Sequence, residues 1–424
     1  MPGLDRATLS APPALSRRAL RILYLHQHYS RPSGSTATRS FLQARALAEA
    51  GHAVTLACGR YQGAETGITA PFRAGRRGGA PDGFELVEFD IAYANAQSLV
   101  ARSGAFLRFA AAASRLALGS RWDLIIASST PLTVALPALL ARRLRGAPFL
   151  FEIRDPWPDV PRALSAQGGG VPGPVLAAME RLADAACRGA AQVVALTEGM
   201  AATAIARGAD PRAVQVLPQG AELDLFGPHV APWRPEGVPR GAVLAVYAGA
   251  HGVANGLDQL LDAAALLRGT ALRLLLVGEG ARKAALMARA TAEDLPVQFL
   301  DPLPKPRVAA LLAGADIGVV CLAPVPALAE LSAPNKLAEA LAAGLPVVAN
   351  VPGNAARLLA EGDCGIAVPP DDPPALAAAL RCLAEDPTRR AATGRAARRL
   401  AESRCDARHI AQDFVALVER AAVR

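Results

Sequence analysis

The sequence predicts an α/β protein with two domains, each built on a parallel β-sheet. Three observations lead to this prediction. The chain has 424 residues, more than one hydrophobic core usually supports. Short apolar runs alternate with helical patterns in both halves of the chain, as they do in βαβ units. Between the halves, residues 218–240 are rich in proline and glycine, which suits a linker.

Six apolar runs predict the strands of the first domain, residues 20–217. The first run leads into a polar loop at residues 33–36 and then into a helix that ends near Ala50, as in nucleotide-binding βαβ units. The six predicted strands span residues 21–25, 53–58, 84–89, 124–128, 149–153 and 193–196.

The alternation restarts after the linker, which we place at residues 218–241. Strands predicted at residues 243–247, 272–277, 297–300, 317–320 and 347–349 define a second domain, residues 242–405. Parallel sheets bind ligands beyond the carboxyl ends of their strands, so two Rossmann-like domains that face each other place the substrate site between them. The last segment, residues 406–424, has a helical pattern that can cross back to the first domain.

Composition limits the partners and the compartment. The formal net charge of +8 favours an anionic partner, but no nucleic-acid-binding module appears, so we predict no nucleic acid partner. No stretch of about 18 residues is both strongly apolar and uncharged. Residues 1–19 lack the apolar core of a secretion signal and are interpreted as a mobile arm. The six cysteines are scattered, without metal-binding or redox spacing, which favours the cytoplasm.

The most informative segment is residues 330–344, ELSAPNKLAEALAAG. If a helix begins near its proline, Asn335 and Lys336 occupy the first turn, where free backbone amides and the helix dipole favour a phosphate. Lys336 is one of only three lysines in a chain that otherwise uses arginine. Glu339, one turn further, is placed to accept hydrogen bonds from ribose hydroxyls, and Glu330 precedes the helix within reach of a sugar. A capped surface helix with solvated charges is the alternative.

This segment and others from residue 21 onward resemble family 4 of the retaining glycosyltransferases, whose GT-B fold has two Rossmann-like domains facing each other across a cleft. The nearest subgroup is the WbuB-like transferases of O-antigen and capsule assembly, which share the HQHY, ExRDxWP and PxKLxEALAAG segments. The segments that carry the resemblance are HQHYSRPSGSTATRSF, SSTPLTVALPALL, FEIRDPWPD, VVALTEGM, YAGAHGVANGLD, LLVGEG, FLDPLPKPRVAALLAGADIGVV and PNKLAEALAAGLPVVA.

The resemblance implies that the second domain binds a nucleotide sugar and the first binds the acceptor. It marks Glu330 and Glu339 as the two motif acids of the family, the first near the donor sugar and the second on the ribose. Eight residues separate them here, whereas seven do in the widespread form. The donor-binding residues implied in this way are Gly34, Ser35, Gly249, His251, Gly252, Asn255, Gly278, Leu303, Asn335, Lys336 and Glu339.

A larger departure from the family lies at YAGAHGVANGLD, where many members place an arginine and a lysine on the diphosphate. Ala250 and Asn255 stand at these positions and cannot supply that charge. We predict that Lys336 replaces it, together with backbone amides of a glycine-rich turn. A turn that needs glycine for its backbone geometry alone is equally consistent. The glycines of this turn are Gly249, Gly252 and Gly256.

In the first domain, Arg154 and Asp155 emerge at the carboxyl end of a predicted strand, where catalytic groups commonly lie. Many family members have histidine here, and the sequence leaves open whether Asp155 orients the acceptor or Arg154 binds charge. A structural ion pair is the alternative. The predicted catalytic residues are Arg154, Asp155, Glu330 and Lys336.

Residues 97–121 carry four arginines among apolar residues at roughly helical intervals. A basic amphipathic helix of this kind rests on anionic lipid, which predicts a peripheral contact with the inner face of the cytoplasmic membrane. Phe106, Leu107 and Phe109 favour the prediction of a membrane contact. An ordinary core-facing helix with solvated arginines is the alternative.

The function implied by the resemblance is retaining transfer of a sugar from a nucleotide diphosphate donor to a lipid-linked or polysaccharide acceptor in cell-surface glycan synthesis. The subgroup suggests a UDP-activated N-acetylated deoxyhexosamine. We expect no cofactor and no metal, because the donor domain lacks a DxD carboxylate cluster. The alternatives are a nucleotide-sugar epimerase of the same architecture and a non-catalytic Rossmann pair that binds a nucleotide. The absence of GxGxxG after the first strand weighs against a dinucleotide.

Overall fold

The computed structural model describes residues 18–35, 38–94, 97–155, 157–166 and 171–422. The predicted N-terminal arm therefore lies outside the described residues as far as residue 17. Within them, the chain folds into two α/β domains with one sheet each, which confirms the predicted fold class. Each strand predicted from the sequence coincides with an observed strand.

The first domain contains an eight-stranded sheet. Its strands are β1 Arg21–Leu25, β2 Ala53–Tyr61, β3 Arg76–Gly79, β4 Glu85–Tyr93, β5 Leu124–Ser128, β6 Phe149–Ile153, β7 Gln192–Ala195 and β8 Val214–Val216. The strand order is β3-β4-β2-β1-β5-β6-β7-β8, and only β3 runs antiparallel to its neighbour. Alternate residues of β1 enter two different cores, because helices cover both faces of a parallel sheet.

Six helices of the first domain are α1 Arg39–Glu49, α2 Leu99–Gly119, α3 Ala135–Arg145, α4 Asp159–Ala166, α5 Gly173–Gly189 and α6 Glu198–Ala206. Helices α2, α3, α5 and α6 bury small and aromatic side chains against one face of the sheet. Helix α1 covers the other face. Among the described residues, no helix is both long and apolar enough to cross a membrane.

The second domain has a six-stranded, fully parallel sheet. Its strands are β9 Val243–Ala248, β10 Leu272–Val277, β11 Val297–Leu300, β12 Ile317–Val320, β13 Val347–Ala349 and β14 Gly365–Ala367, in the order β11-β10-β9-β12-β13-β14. The remaining helices are α7 Asp258–Ala265, α8 Lys283–Ala292, α9 Lys305–Gly314, α10 Pro326–Leu331, α11 Asn335–Ala342, α12 Asn354–Gly362, α13 Pro373–Glu385, α14 Pro387–Arg404 and α15 Ala407–Ala422.

Helix α15 returns from the second domain and packs on the first sheet beside α1. Phe414 is fully buried there, and its ring centroid lies 6.4 Å from that of Tyr24. The chain crosses between the domains twice, and the two crossings are hydrogen-bonded to each other through Ala221, which donates to the Cys405 carbonyl at 2.8 Å. Gly220 permits this contact, since a Cβ there would lie 2.9 Å from the Cα of Ala407.

We predict that Phe414→Ala lowers the free energy of unfolding by about 3–5 kcal/mol, because it leaves a cavity between α15 and the first sheet. Urea denaturation followed by circular dichroism measures the change. Gln412→Ala, at an exposed position of the same helix, is the matched control and should stay within about 0.5 kcal/mol of the wild type. Equal losses in the two variants would show that α15 does not stabilise the first domain.

Candidate active site in the interdomain cleft

A cleft of about 840 Å³ lies between the two domains. Its volume is within the range of pockets that bind small-molecule ligands. The loops that follow the strands line it from both sides, as the fold class predicts. The first domain contributes Ser35, Tyr61, Gln62, Gly63, Arg154 and Asp155; the second contributes residues that include Gly249, Asn255, Gly278, Glu279, Gly280, Leu303, Lys305, Asn335, Lys336 and Glu339.

Helix α11 directs its first turn at the cleft. Pro334 caps it and the helix begins at Asn335, as the sequence predicts. Asn335, Lys336 and Glu339 all line the cleft. Proline suits this position because the first amides of a helix have no partner within the helix. These free amides and the helix dipole favour an anion at this end of the cleft.

The ammonium of Lys336 is held on an aromatic ring. Its Nζ donates to the Tyr247 hydroxyl at 2.9 Å and to Oδ1 of Asn255 at 3.1 Å, and it lies 4.3 Å from the Tyr247 ring centroid. No ion pair to Lys336 is found among the described residues. Burial lowers the pKa of Lys336 to about 8. An ammonium has three N–H donors, so one remains for a ligand in the cleft.

Glycines bring the β9 and β10 loops together beneath this ammonium. A Cβ on Gly249 would lie 2.9 Å from Cε of Lys336, and a Cβ on Gly278 would collide with the Gly249 carbonyl oxygen. Gly278 also has a φ of +149°, which other residues rarely adopt. The close approach of the two loops therefore requires glycine at position 278, and a side chain at position 249 would displace the end of Lys336.

Glu339 is buried and forms an ion pair with Lys305. Glu222, in the first crossing between the domains, lies near both groups and accepts a hydrogen bond from Thr38 at 3.3 Å. Burial raises the pKa of Glu222. The carboxylate that the sequence assigns to the ribose thus already has a cationic partner in this structure.

Three predicted donor residues lie behind the lining of the cleft. His251 is fully buried between the rings of Tyr247 and Phe299, each with its centroid 6.1 Å away. Burial, and then Lys283, lowers the pKa of His251 to about 4, so the imidazole is neutral. Gly252 caps the short helical turn that carries Asn255, and Gly34 packs against the loop behind Ser35.

Glu330 is placed differently from the sequence expectation. Its carboxylate accepts hydrogen bonds from Arg357 at 2.8 and 3.1 Å, which lowers its pKa, and it is not among the residues that line the cleft. Residues 326–331 form helix α10, which turns this side chain toward α12. The Glu330 carbonyl also accepts the Thr197 hydroxyl of the first domain at 3.0 Å. In this structure Glu330 contributes to a domain contact and does not line the cleft.

Arg154 and Asp155 have separate partners, which excludes the predicted alternative of an ion pair between them. Asp155 is exposed in the cleft and accepts the Thr130 hydroxyl. Arg154 donates from NH1 to Nε2 of His26 at 2.8 Å, and Nδ1 of His26 lies 2.8 Å from Oγ of Ser40. Because arginine can only donate, Nε2 accepts and Nδ1 carries the proton. Burial, and then Arg154, lowers the pKa of His26 well below its usual value.

The sequence reasoning missed several residues of the site. Lys305 could have been found from the sequence, because it is also one of the three lysines of the chain, the observation that drew attention to Lys336. Tyr247 lies inside a predicted strand and has no distinguishing pattern. Tyr61 extends strand β2 beyond its apolar run into the cleft. Within the described ranges, no group of three or more His, Cys, Asp or Glu side chains is placed to hold a metal ion.

We predict that Lys336 titrates near pH 8 in the ligand-free protein, well below the usual value of 10.5. Reductive ¹³C-methylation followed by NMR measures it, and three lysines give a simple spectrum that Lys336→Arg assigns. Tyr247→Phe removes an acceptor of the charged form and should lower this pKa further. Titration of Lys336 near 10.5 would contradict a buried ammonium.

Two family models match the chain. The model described as Glycosyl transferase 4-like domain matches residues 34–220, and the model described as Glycosyl transferases group 1 matches residues 242–386. The two matches fall on the first and second domains. The first match ends three residues into the predicted linker, residues 218–241, and the second begins directly after it.

Curated relatives include D-inositol 3-phosphate glycosyltransferases. The protein of this name from Pseudarthrobacter chlorophenolicus is 34% identical over 223 residues, which are 49% of this chain and 51% of the relative. That from Thermomonospora curvata is 35% identical over 205 residues, or 43% of this chain and 46% of the relative. The chain spans about half the length of the curated relatives it matches. The O-antigen and capsule subgroup stays a prediction.

Solved structures share the fold across nearly the whole chain. Sucrose-phosphate synthase from Thermosynechococcus elongatus has a TM-score of 0.72 at 18% identity, covering 92% of this chain and 96% of that one. Anabaena HepE in complex with UDP-glucose has a TM-score of 0.63 at 19% identity, covering 93% and 98%. The chain is therefore a GT-B protein whose two domains are both of the glycosyltransferase type.

Proposed function

We propose that this protein is a retaining glycosyltransferase that moves a sugar from a nucleotide diphosphate donor to an acceptor. The observation that carries the proposal is the Lys336 ammonium at the start of α11, in the interdomain cleft and without a carboxylate partner among the described residues. A helix N-terminus and an available ammonium are suited to a diphosphate. The matched domain types support the same function.

For the donor, we propose a UDP-sugar, with an N-acetylated deoxyhexosamine as the sugar. HepE, which has the same fold, was crystallised with UDP-glucose, and this supports a uridine donor. Glu339 is the proposed partner of the ribose hydroxyls. It must exchange its ion pair with Lys305 for hydrogen bonds to the ribose. Lys305 then becomes available to an anionic group of the donor.

For the reaction, charge on the leaving diphosphate grows toward the transition state, and the attraction of Lys336 grows with it. The acceptor hydroxyl attacks from the face that the diphosphate leaves, so the configuration at the anomeric carbon is retained. A leaving phosphate oxygen takes the hydroxyl proton, and no protein nucleophile is required. We propose no metal and no cofactor for this step.

For the acceptor, the proposal is a lipid-linked or polysaccharide glycan of the cell surface. The name of the curated relatives favours a second candidate, a small phosphorylated polyol. The alternatives to transfer are epimerisation of the nucleotide sugar and binding without catalysis. Incubation with UDP-sugars, with and without a lipid-linked acceptor, separates these cases. Transfer releases UDP only with acceptor, whereas an epimerase isomerises the donor without releasing UDP.

We also propose a peripheral location at the inner face of the cytoplasmic membrane. Phe106 and Phe109, which the sequence assigns to a membrane-contacting face of α2, are buried in the core of the first domain. These two side chains are therefore not exposed to a membrane. The exposed apolar side chains lie elsewhere, at the start and middle of α2 and along one side of α3. Residues 97–151 contain seven arginines and a single acidic residue. The exposed apolar side chains are Leu99, Val100, Leu107, Leu136, Leu140 and Leu144.

We predict that the protein co-sediments with anionic vesicles and detaches as salt rises, because the attraction is electrostatic and screened. Leu140→Ser with Leu144→Ser removes exposed apolar side chains of α3 and should weaken binding at low salt severalfold. Leu266→Ser, an exposed leucine of the second domain, is the matched control. Equal binding to neutral vesicles at every salt concentration would remove the electrostatic part of the proposal.

We predict different effects for the two donor residues. Lys336→Ala should lower the single-turnover rate at saturating donor about 10²- to 10³-fold, because the lost charge acts mainly in the transition state. Glu339→Gln should chiefly weaken donor binding, by about 1–3 kcal/mol. Single-turnover kinetics and donor titrations measure both, with Glu402→Gln on the exposed side of α14 as control. An unchanged rate in Lys336→Ala would refute leaving-group stabilisation by this residue.

A further inference from the structure

The first-domain wall of the cleft carries a cation whose hydrogen-bond partner is neutral. Arg154 lines the cleft and donates to His26, and no carboxylate lies within ion-pairing distance of Arg154 among the described residues. His26 is buried and its pKa is far below its usual value, so it brings no charge. The guanidinium has five N–H donors in a planar fork. Among the described residues, the side-chain hydrogen bonds found for this guanidinium go only to His26, through one of its nitrogens, and the residue lines the cleft.

The nearby carboxylates already have other partners. Glu152 is fully buried, accepts from Arg39 at 2.8 Å, and also accepts from Gln43 and Ser128 at 2.8 and 2.6 Å. Asp155 accepts the Thr130 hydroxyl. The field at Arg154 is therefore not neutralised by a dedicated counter-ion.

A second guanidinium adds to this positive field. Arg102 donates from Nε to the Tyr93 hydroxyl at 3.0 Å and has no ion pair among the described residues. His28 lies near both arginines. Burial, and then Arg154 and Arg102, lowers its pKa to about 3, so His28 is also neutral. His28 therefore adds no charge between the two guanidiniums.

These rings form a stack that ends at the cleft. The His28 ring centroid lies 4.8 Å from that of Tyr61 and 4.5 Å from that of Tyr93, and Tyr61 lines the cleft. Phe106 continues the stack at 5.2 Å from Tyr93. An aromatic surface next to a guanidinium suits a ligand that combines an apolar ring face with an anionic group.

We propose that Arg154 and Tyr61 form an acceptor subsite that recognises a phosphate group on the acceptor. This rests on the proposed function, in which the acceptor is the second substrate. A guanidinium binds phosphate through two parallel hydrogen bonds, and the dianion supplies the counter-charge that the protein does not. The donor diphosphate belongs to the opposite wall, where Lys336 and the first turn of α11 lie. Asp155, the next residue after Arg154, then orients the acceptor hydroxyl.

Two kinds of acceptor offer this chemistry: a soluble polyol or sugar phosphate, and a lipid-linked diphosphate. Calorimetry on the full chain, saturated with UDP, tests both with matched pairs of probes. One pair is myo-inositol 1-phosphate and myo-inositol. The other is a short polyprenyl diphosphate and the corresponding polyprenol in detergent. The wild type should prefer the phosphorylated member of at least one pair at least tenfold, and the preferred pair identifies the source of the phosphate.

Arg154→Gln should remove this preference, and Arg154→Lys should retain part of it because the charge stays. Arg395→Gln, at an exposed position of α14, removes the same charge away from the cleft and should leave the preference unchanged. UDP affinity and thermal melting of each variant confirm an intact donor site and fold. Absence of a preference in the wild type, or its persistence in Arg154→Gln, overturns the subsite.

The outcome is independent of the donor assay. A phosphate preference that requires Arg154, in a protein that neither releases UDP nor transfers sugar, would refute the proposed function and leave an anion site in the cleft. Acceptor-dependent UDP release without any phosphate preference would uphold the function and refute the subsite.

Discussion

The buried ion pair between Arg39 and Glu152 fixes the first-domain wall of the cleft. Arg39 begins α1, Glu152 lies near the end of β6, and both are almost fully removed from solvent. The guanidinium also donates to the carbonyls of Leu217 and Pro218, where the chain leaves the first domain, at 3.1 and 2.7 Å. One side chain thus joins a helix, a central strand and the crossing between domains. Removing one partner of such a pair leaves an uncompensated charge and costs about 3–5 kcal/mol.

The position of Glu152 also determines what the end of β6 presents to the cleft. Residues of a strand alternate in direction, so Glu152 and Arg154 point to the same side of the sheet. Glu152 points into the buried network with Ser128 and Gln43, and Arg154 reaches His26 one step further along the same side. The end of β6 therefore places Glu152 in the buried network and Arg154 at the cleft, on the same side of the sheet. Arg39 pairs with this carboxylate directly, whereas Arg154 hydrogen-bonds His26 and acts on Glu152 only through its charge.

The fold was more predictable from the sequence than the site. The central strand runs were recovered because they are apolar and buried on both faces of the sheet. Strands β3, β8 and β14 were missed, since they are short and one is RRGG. The start of α11 was predictable because proline and the helix N-terminus are local signals. Glu330 was not, because its direction depends on Arg357, a partner 27 residues away that no local pattern indicates.

The structure adds a contact to the sequence prediction that Lys336 takes the place of the diphosphate-binding cations of the family that the chain resembles. Asn255 stands at one of the two positions where the resemblance implies a diphosphate-binding cation, and it accepts a hydrogen bond from Lys336. The ammonium that the glycine-rich loop lacks is thus supplied to the same place by α11, 81 residues further along the chain. Lysine suits this geometry, since its compact ammonium lies over the Tyr247 ring and against Gly249.

In the ligand-free cleft, two cations have no carboxylate partner among the described residues, and one carboxylate is already paired. Lys336 lies on one wall and Arg154 on the other, and neither has a carboxylate partner among the described residues. Two like charges facing a common cleft oppose its closure, and a bound anion at each cation removes that repulsion. Glu339 is the opposite case, because it is already paired with Lys305 and must be released for the ribose. In the proposed function, the attraction between the diphosphate and the cations offsets that exchange, so the proposal assigns most of the donor affinity to the phosphates and the selection of the ribose to Glu339.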